Sequence, residues 1–265
     1  MRYKQYLIHE GRSKEITQDQ AFEIIYRKCD QAWQAYQNNK IFFRGLNKAG
    51  EYLFIDPKSG KPRKSANSDN YYTLLVDNSP LWKKYPKRSE SIIGTSSYRY
   101  ATNYGEVYEV FPYDNSKIGV APQNDFWFSF SNGLGSGNSL NFLNFKLKKL
   151  FNQYDVTIKD NNFNDFKKSL DRLDVELRND IDNLSILDIV TKTWRIKSES
   201  FIDNLNRILD PKPNHFEVVT NMNDIPHKGN ERELWTDAKC VMIKSALGAG
   251  GGLNPHLEQY MEKGL

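Results

Sequence analysis

Cysteine is almost missing from this 265-residue chain: Cys29 and Cys240 stand alone, which excludes a disulfide framework and points to a reduced compartment. Histidine is scarce too, and the four residues present are scattered, so no Cys/His cluster has the spacing of a structural zinc site. No apolar run approaches the length of a membrane span, and Met1 to Tyr6 lacks the apolar core of a signal peptide. The sequence therefore predicts a soluble, unexported, cytoplasmic protein with no membrane partner. A net charge of +4 and a pI near 8.8 lean basic without the dense clusters of a dedicated nucleic-acid binder. The glycine run within Leu247–Leu253 lacks both the Gly-x-Gly-x-x-Gly and the Gly-Lys-Ser/Thr spacing, so it reads as a linker and not a nucleotide loop. Aromatic residues, by contrast, are abundant at 13% of the chain, and Phe, Tyr and Trp must supply much of the buried area.

Local patterns divide the chain. Thr17 and Gln20 have capping-box spacing, and Phe22, Ile25, Cys29, Ala32, Trp33 and Tyr36 recur at helical intervals, predicting one amphipathic helix to about Asn38. Ile41 to Arg44 reads as a buried strand whose last side chain emerges at a rim. Asp56 to Asn70 is a basic loop, Tyr71 to Val76 and Ser91 to Ile93 are strands, and Val107 to Val110 pairs with Lys117 to Ala121 across a turn. Gly133, Gly135 and Gly137 mark a loop. Phe163, Phe166, Leu170, Leu173, Leu177 and Ile181 then step as a helix, and a second helical stretch runs from about Ser185 to Leu209 before Pro211 and Pro213 stop it. Strand character returns at Phe216 to Thr220 and Leu234 to Ile243. The expected architecture is α+β: one domain over 1–265, a β-rich core with an N-terminal helix, a helical insertion at about 126–212, and a flexible tail over 245–265.

Three short motifs carry chemistry. Glu231-Arg232-Glu233 is the only Glu-x-Glu in the chain, and carboxylates two residues apart at a strand entrance point the same way. Paired acids can divide the work of glycosyl chemistry, one stabilising a cationic sugar and the other orienting or deprotonating an attacking group. Upstream lie a hydroxyl cluster, Thr95, Ser96 and Ser97, and earlier still Phe43-Arg44-Gly45 at the end of an apolar strand. The order is Arg, hydroxyl, Glu-x-Glu.

This ordered set resembles the Arg–Ser–Glu class of toxin-like mono-ADP-ribosyltransferases, over roughly positions 40 to 122 and 214 to 244. Phe43-Arg44-Gly45 is similar to the first-strand arginine motif of that family and Glu231–Glu233 to its catalytic turn. Where members usually have Ser-Thr-Ser this chain has Thr95-Ser96-Ser97, so either Thr95 or Ser96 takes the hydroxyl role. The resemblance implies a core of two packed sheets and NAD as co-substrate, with no metal. It implies Glu233 as the main catalytic acid, with Glu231 facing an arginine of a target protein. Arg44, Gly45, Thr95, Ser96 and Glu233 would bind NAD, with Tyr98, Trp235 and Arg63 as further contacts to nicotinamide, acceptor or phosphate. The stretch through Ala101 and Tyr104 to Pro112 is also similar to phage-encoded proteins, which would put the enzyme in a host cytosol with a host protein as partner.

Two other functions fit the same residues. Water or a nucleic acid could be the acceptor, the latter suggested by Lys58, Lys61, Arg63 and Lys64, giving an NAD glycohydrolase or a nucleic-acid modifier. Alternatively the chain is a non-enzymatic phage structural or host-binding protein whose amphipathic region, 161 to 209, engages a partner.

Overall fold

A computed structural model describes residues 13–47, 49–64, 68–134, 140–180, 199–226, 231–246 and 254–263. By internal contacts the chain forms two compact units, one of residues 1–63, 85–124 and 217–265 and one of 64–84 and 125–216. The strands are β1 (Ser13–Glu15), β2 (Phe42–Leu46), β3 (Tyr52–Ile55), β4 (Ile92–Thr95), β5 (Glu106–Pro112), β6 (Ile118–Val120), β7 (Glu217–Val219), β8 (Glu233–Thr236) and β9 (Cys240–Lys244). The helices are α1 (Gln18–Lys28), α2 (Asp30–Gln37), α3 (Asn70–Asn78), α4 (Tyr98–Ala101), α5 (Ser131–Leu134), α6 (Leu140–Gln153), α7 (Phe163–Asn179), α8 (Phe201–Ile208) and α9 (Pro255–Lys263). The class is α+β, and among the described residues no helix is long and apolar enough to cross a membrane.

The first unit is built on one antiparallel sheet in the order β1-β3-β9-β5-β2-β4-β8-β6-β7. Hydrogen bonding thus joins into a single ladder what the resemblance implied would be two packed sheets. The join is thin: β2 and β5 share five residue pairs, whereas β2 and β4 share only Phe43 opposite Thr95. Close approach at that join needs Gly94, because a Cβ there would lie 2.1 Å from the carbonyl oxygen of Phe43 and 2.5 Å from the Phe42 ring. Gly45 is held by the same logic, with the carbonyl oxygen of Ala101 at the end of α4 only 2.2 Å from where its Cβ would sit.

The capping box at Thr17 and Gln20 forms as the sequence predicts, Thr17 Oγ1 accepting from Gln20 N and Gln20 Oε1 from Thr17 N. The single helix expected to follow is instead two, because Cys29 leaves helical geometry at φ −131°, ψ 33° with its thiol aimed at the carbonyl oxygen of Phe111, 3.5 Å away. Asn39, at φ 57°, then ends the helical region in the left-handed conformation that asparagine tolerates. Buried faces of α1 (Phe22, Ile25) and α2 (Trp33, Tyr36) join the sheet's apolar core with Phe42, Tyr108, Val110, Met242 and Leu234. The tail is not wholly loose: α9 places Leu257 at full burial and Tyr260 edge-on to Phe22, and Asn254 N donates to the Tyr36 hydroxyl. Residues 247–253 of that tail lie outside the described residues.

Two strand expectations are corrected here. Val107 to Val110 and Lys117 to Ala121 do not pair with each other; β5 lies between β2 and β9, and β6 between β8 and β7. The apolar stretch from Leu234 to Ile243 breaks at Asp237–Lys239 into β8 and β9, which occupy different parts of the sheet.

In the second unit Tyr71 to Val76 is helix, not strand. Its β-favouring residues bury Tyr71 and Leu75 four apart, as Tyr72 and Val76 are, against an aromatic core, and packing overrides propensity. Tyr71 stacks on Phe166 at 5.0 Å, Trp82 lies edge-on to Phe216 at 4.9 Å, and Phe126 and Phe130 complete that cluster. The buried indole of Trp82 is satisfied by the Leu209 carbonyl at 2.8 Å. α7 follows the predicted apolar stripe, with Phe166, Leu170, Leu173 and Leu177 inward. Of the second predicted helix only α8 is described; residues 185–198 lie outside the described residues.

Candidate functional site

β4 and β8 run antiparallel with Thr95 opposite Glu233 and Ile93 opposite Trp235. Directly opposed residues share a face, so Thr95, Glu233 and Trp235 lie on one side of the sheet. Just before β8 the chain clings to the end of β4: Ser96 N donates to the Arg232 carbonyl at 2.9 Å, and Arg232 N donates to Ser96 Oγ at 3.0 Å. On the other flank Glu233 N donates to the Gln123 carbonyl at 2.7 Å, and Ala121 N to the Glu233 carbonyl at 2.9 Å. The Glu-x-Glu turn is therefore fixed from both sides by backbone bonds.

The three hydroxyls have different duties. Ser96 ties the turn to β4. Thr95 is buried beside Glu233, its Oγ1 accepting from Ser97 N at 3.1 Å. Ser97, which the sequence pattern did not single out as a site residue, donates to Glu231 Oε1 at 2.7 Å and caps α4 by accepting from Tyr100 N at 3.2 Å. The two carboxylates also differ: Glu231 is exposed and Glu233 is 9% exposed.

Glu233 has a partner that the motif order did not contain. Arg88 Nη1 lies 2.5 Å from Glu233 Oε1, with Arg88 only 6% exposed. The Arg88 guanidinium also sits over the Trp235 ring, 5.7 Å from its centre. Segment 85–91 thus straps the face of β8: Tyr85 stacks on Trp235 at 6.2 Å and 17°, and Trp235 Nε1 donates to the Pro86 carbonyl at 3.0 Å. The strap is pinned in turn by Arg63 N donating to the Ser89 carbonyl at 2.8 Å. Nothing local in the sequence signals this role, because Arg88 stands in a short basic run that reads as solvated surface, and only the β4–β8 register brings it to Glu233.

Arg44 reaches the same seam from β2. Its Nη1 donates to the carbonyl of Ile93, two residues before Thr95 on β4. Alternation along β2 puts its Cβ on the face opposite Phe43, Thr95 and Glu233, so the expected convergence of Arg44 with Glu233 on one face is corrected: they start from opposite sides of the sheet. Gly45 serves as a close-packing position under α4.

The remaining expected contacts fare unevenly. Tyr98, the first residue of α4, is half-buried with its ring edge-on to Phe43 at 5.7 Å, on the Thr95 face. Trp235 is corrected as a ligand-stacking residue: it is wholly buried, and its ring is covered by Tyr85 and Arg88 of its own chain. The basic loop is partly neutralised, with Lys58 paired to Asp237 at 2.8 Å, and Asp56 meets Lys239 at 3.6 Å. Among the described residues no group of His, Cys, Asp and Glu could hold a metal ion.

Comparison with known proteins adds no relative: no family model matches the chain, and neither the curated proteins nor the solved structures give a match.

Proposed function

We propose that this protein is an NAD-dependent mono-ADP-ribosyltransferase whose acceptor is a protein arginine. The observation that carries the reading is that three motifs far apart in sequence meet on three adjacent strands. Arg44 is bonded to β4, Thr95 stands opposite Glu233, and Ser97 holds Glu231. NAD supplies a glycosidic bond whose nicotinamide leaving group departs with the bonding electron pair, leaving positive charge on the ribose. The donor set suits such a ligand: a carboxylate and a hydroxyl on one face for ribose, and a guanidinium at the seam for a phosphate.

Glu233, enclosed and paired with Arg88, opposes the developing charge and accepts from a ribose hydroxyl. Thr95 fixes that hydroxyl and the carboxylate in one geometry. Glu231, exposed and steadied by Ser97, meets the incoming guanidinium. An acceptor nitrogen forms the new bond to the ribose carbon as nicotinamide leaves, and its proton passes to Glu231. The unequal exposure of the two carboxylates supports this split of roles.

Incubation with phosphate-labelled NAD and a cell lysate tests the proposal. Label should follow protein, resist nuclease, and be released by hydrolysis of arginine-linked ADP-ribose. Glu231→Gln should abolish transfer while retaining NAD hydrolysis. Nuclease-sensitive label would move the acceptor to nucleic acid, and an absence of NAD consumption would remove the reading altogether.

A further inference from the structure

We propose that Arg88 is the positioning residue for Glu233, holding the carboxylate aimed within the NAD site; this rests on the transferase reading above. The geometry is specific. A guanidinium is a rigid planar donor, and here it is clamped between a carboxylate oxygen at 2.5 Å and the face of Trp235 at 5.7 Å. Trp235 is itself fixed by its bond to Pro86 and by the Tyr85 ring. The strap bearing Arg88 is closed by Ser91 Oγ donating to the Lys87 carbonyl at 2.6 Å and anchored by Arg63 N on Ser89. The guanidinium that meets Glu233 Oε1 is therefore itself held between buried side chains.

The chemistry explains why such a clamp is needed. Glu233 is nearly enclosed and Arg88 meets its Oε1, so the direction in which the carboxylate faces the ribose depends on where that guanidinium is held. A lysine would supply the charge without the fork, so the aim of the carboxylate would relax. Arg88 acts through Glu233 and touches no reacting atom in this role.

Nicotinamide release from NAD by the full chain is measured for wild type, Arg88→Ala and Arg88→Lys, with kcat and KM separated and thermal melts alongside. In Arg88→Ala, kcat should fall about 100-fold, the scale of a misplaced catalytic group, with KM for NAD changed little. Added guanidinium at sub-denaturing concentration should restore part of kcat, and Arg88→Lys should show an intermediate loss that guanidinium does not repair. Unchanged kcat in a folded Arg88→Ala overturns the inference. So does a loss that follows the fraction unfolded and is not rescued, since that marks a structural role only. If Arg88→Ala does not fold, Arg88→Lys decides by the same split: a fall in kcat at constant KM supports the assignment, and no fall overturns it. A wild-type protein that does not consume NAD is told apart at once, because it removes the transferase reading before any variant is compared.

Discussion

The pair between Arg88 and Glu233 makes a thermodynamic prediction independent of any reaction. Both residues are enclosed, at 6% and 9% exposure, and their charged atoms are 2.5 Å apart. Removing one partner strands the other charge out of water, which costs about 3–5 kcal/mol, whereas replacing both with apolar residues of similar volume costs little. Arg88→Met and Glu233→Leu should each destabilise by that amount, and the double variant should lie close to wild type. The coupling energy of the cycle, the change in the double variant less the sum of the two single changes, is then about 6–10 kcal/mol in magnitude. Urea unfolding followed by circular dichroism measures it, provided the slope of the transition is the same in all four proteins. A built-in control is Lys167–Asp171 on α7, where both side chains are about half exposed; its cycle should give only about 0.3–0.5 kcal/mol. Additive effects of the two substitutions, with coupling below about 0.5 kcal/mol, would refute the claim that guanidinium and carboxylate share one buried site.

Gly94→Ala should destabilise by about 1–3 kcal/mol, read as a lower urea midpoint, because its methyl would meet backbone at the Phe43 carbonyl with no flexible atom to move aside. Glu109 is 1% exposed, and burial raises its carboxyl above the usual range, with the Ser245 and Tyr36 hydroxyls offsetting part of that rise. A raised folded value means the native state holds the proton more tightly, so stability from this group is present at low pH and lost as pH rises through the folded value. Wild type should therefore gain on Glu109→Gln as pH falls from about 7 toward the ordinary carboxylate value near 4.3; a pH-independent difference would contradict this. Burial also pushes the Cys29 thiol far above its usual range, so native protein should resist alkylation at Cys29 until denaturant is added, as peptide mapping can check.

Several elements that carry the candidate residues were legible because their signals are local. The apolar run from Ile41 to Arg44 does fall in a strand, although β2 runs on to Leu46 and leaves Arg44 in mid-strand and not at its rim, and the capping box at Thr17 marks the helix start at the predicted residue. Hydroxyls and carboxylates met as the motif order implied, since Thr95 and Glu233 lie at the ends of neighbouring strands. What sequence could not resolve was set by tertiary packing. Tyr71 to Val76 carries strand-favouring residues, yet an aromatic core gives a helix more buried contact. β5 and β6 are close in sequence, but each finds better partners elsewhere in the sheet. Arg88 was invisible as a site residue because the Glu233 that neutralises it is 145 residues away. Which face Arg44 takes was equally out of reach of the sequence, because it is set by the register of β2 against β4.

The most direct test of the account is the rate of nicotinamide release from NAD by wild type and Glu233→Gln, with folding of both verified by thermal melts. The amide keeps the shape of the side chain and an acceptor for Arg88 but loses the negative charge. The account predicts steady release by wild type and a fall of about 10²–10³-fold in the variant. Equal rates in the two folded proteins would contradict it, as would no release from either.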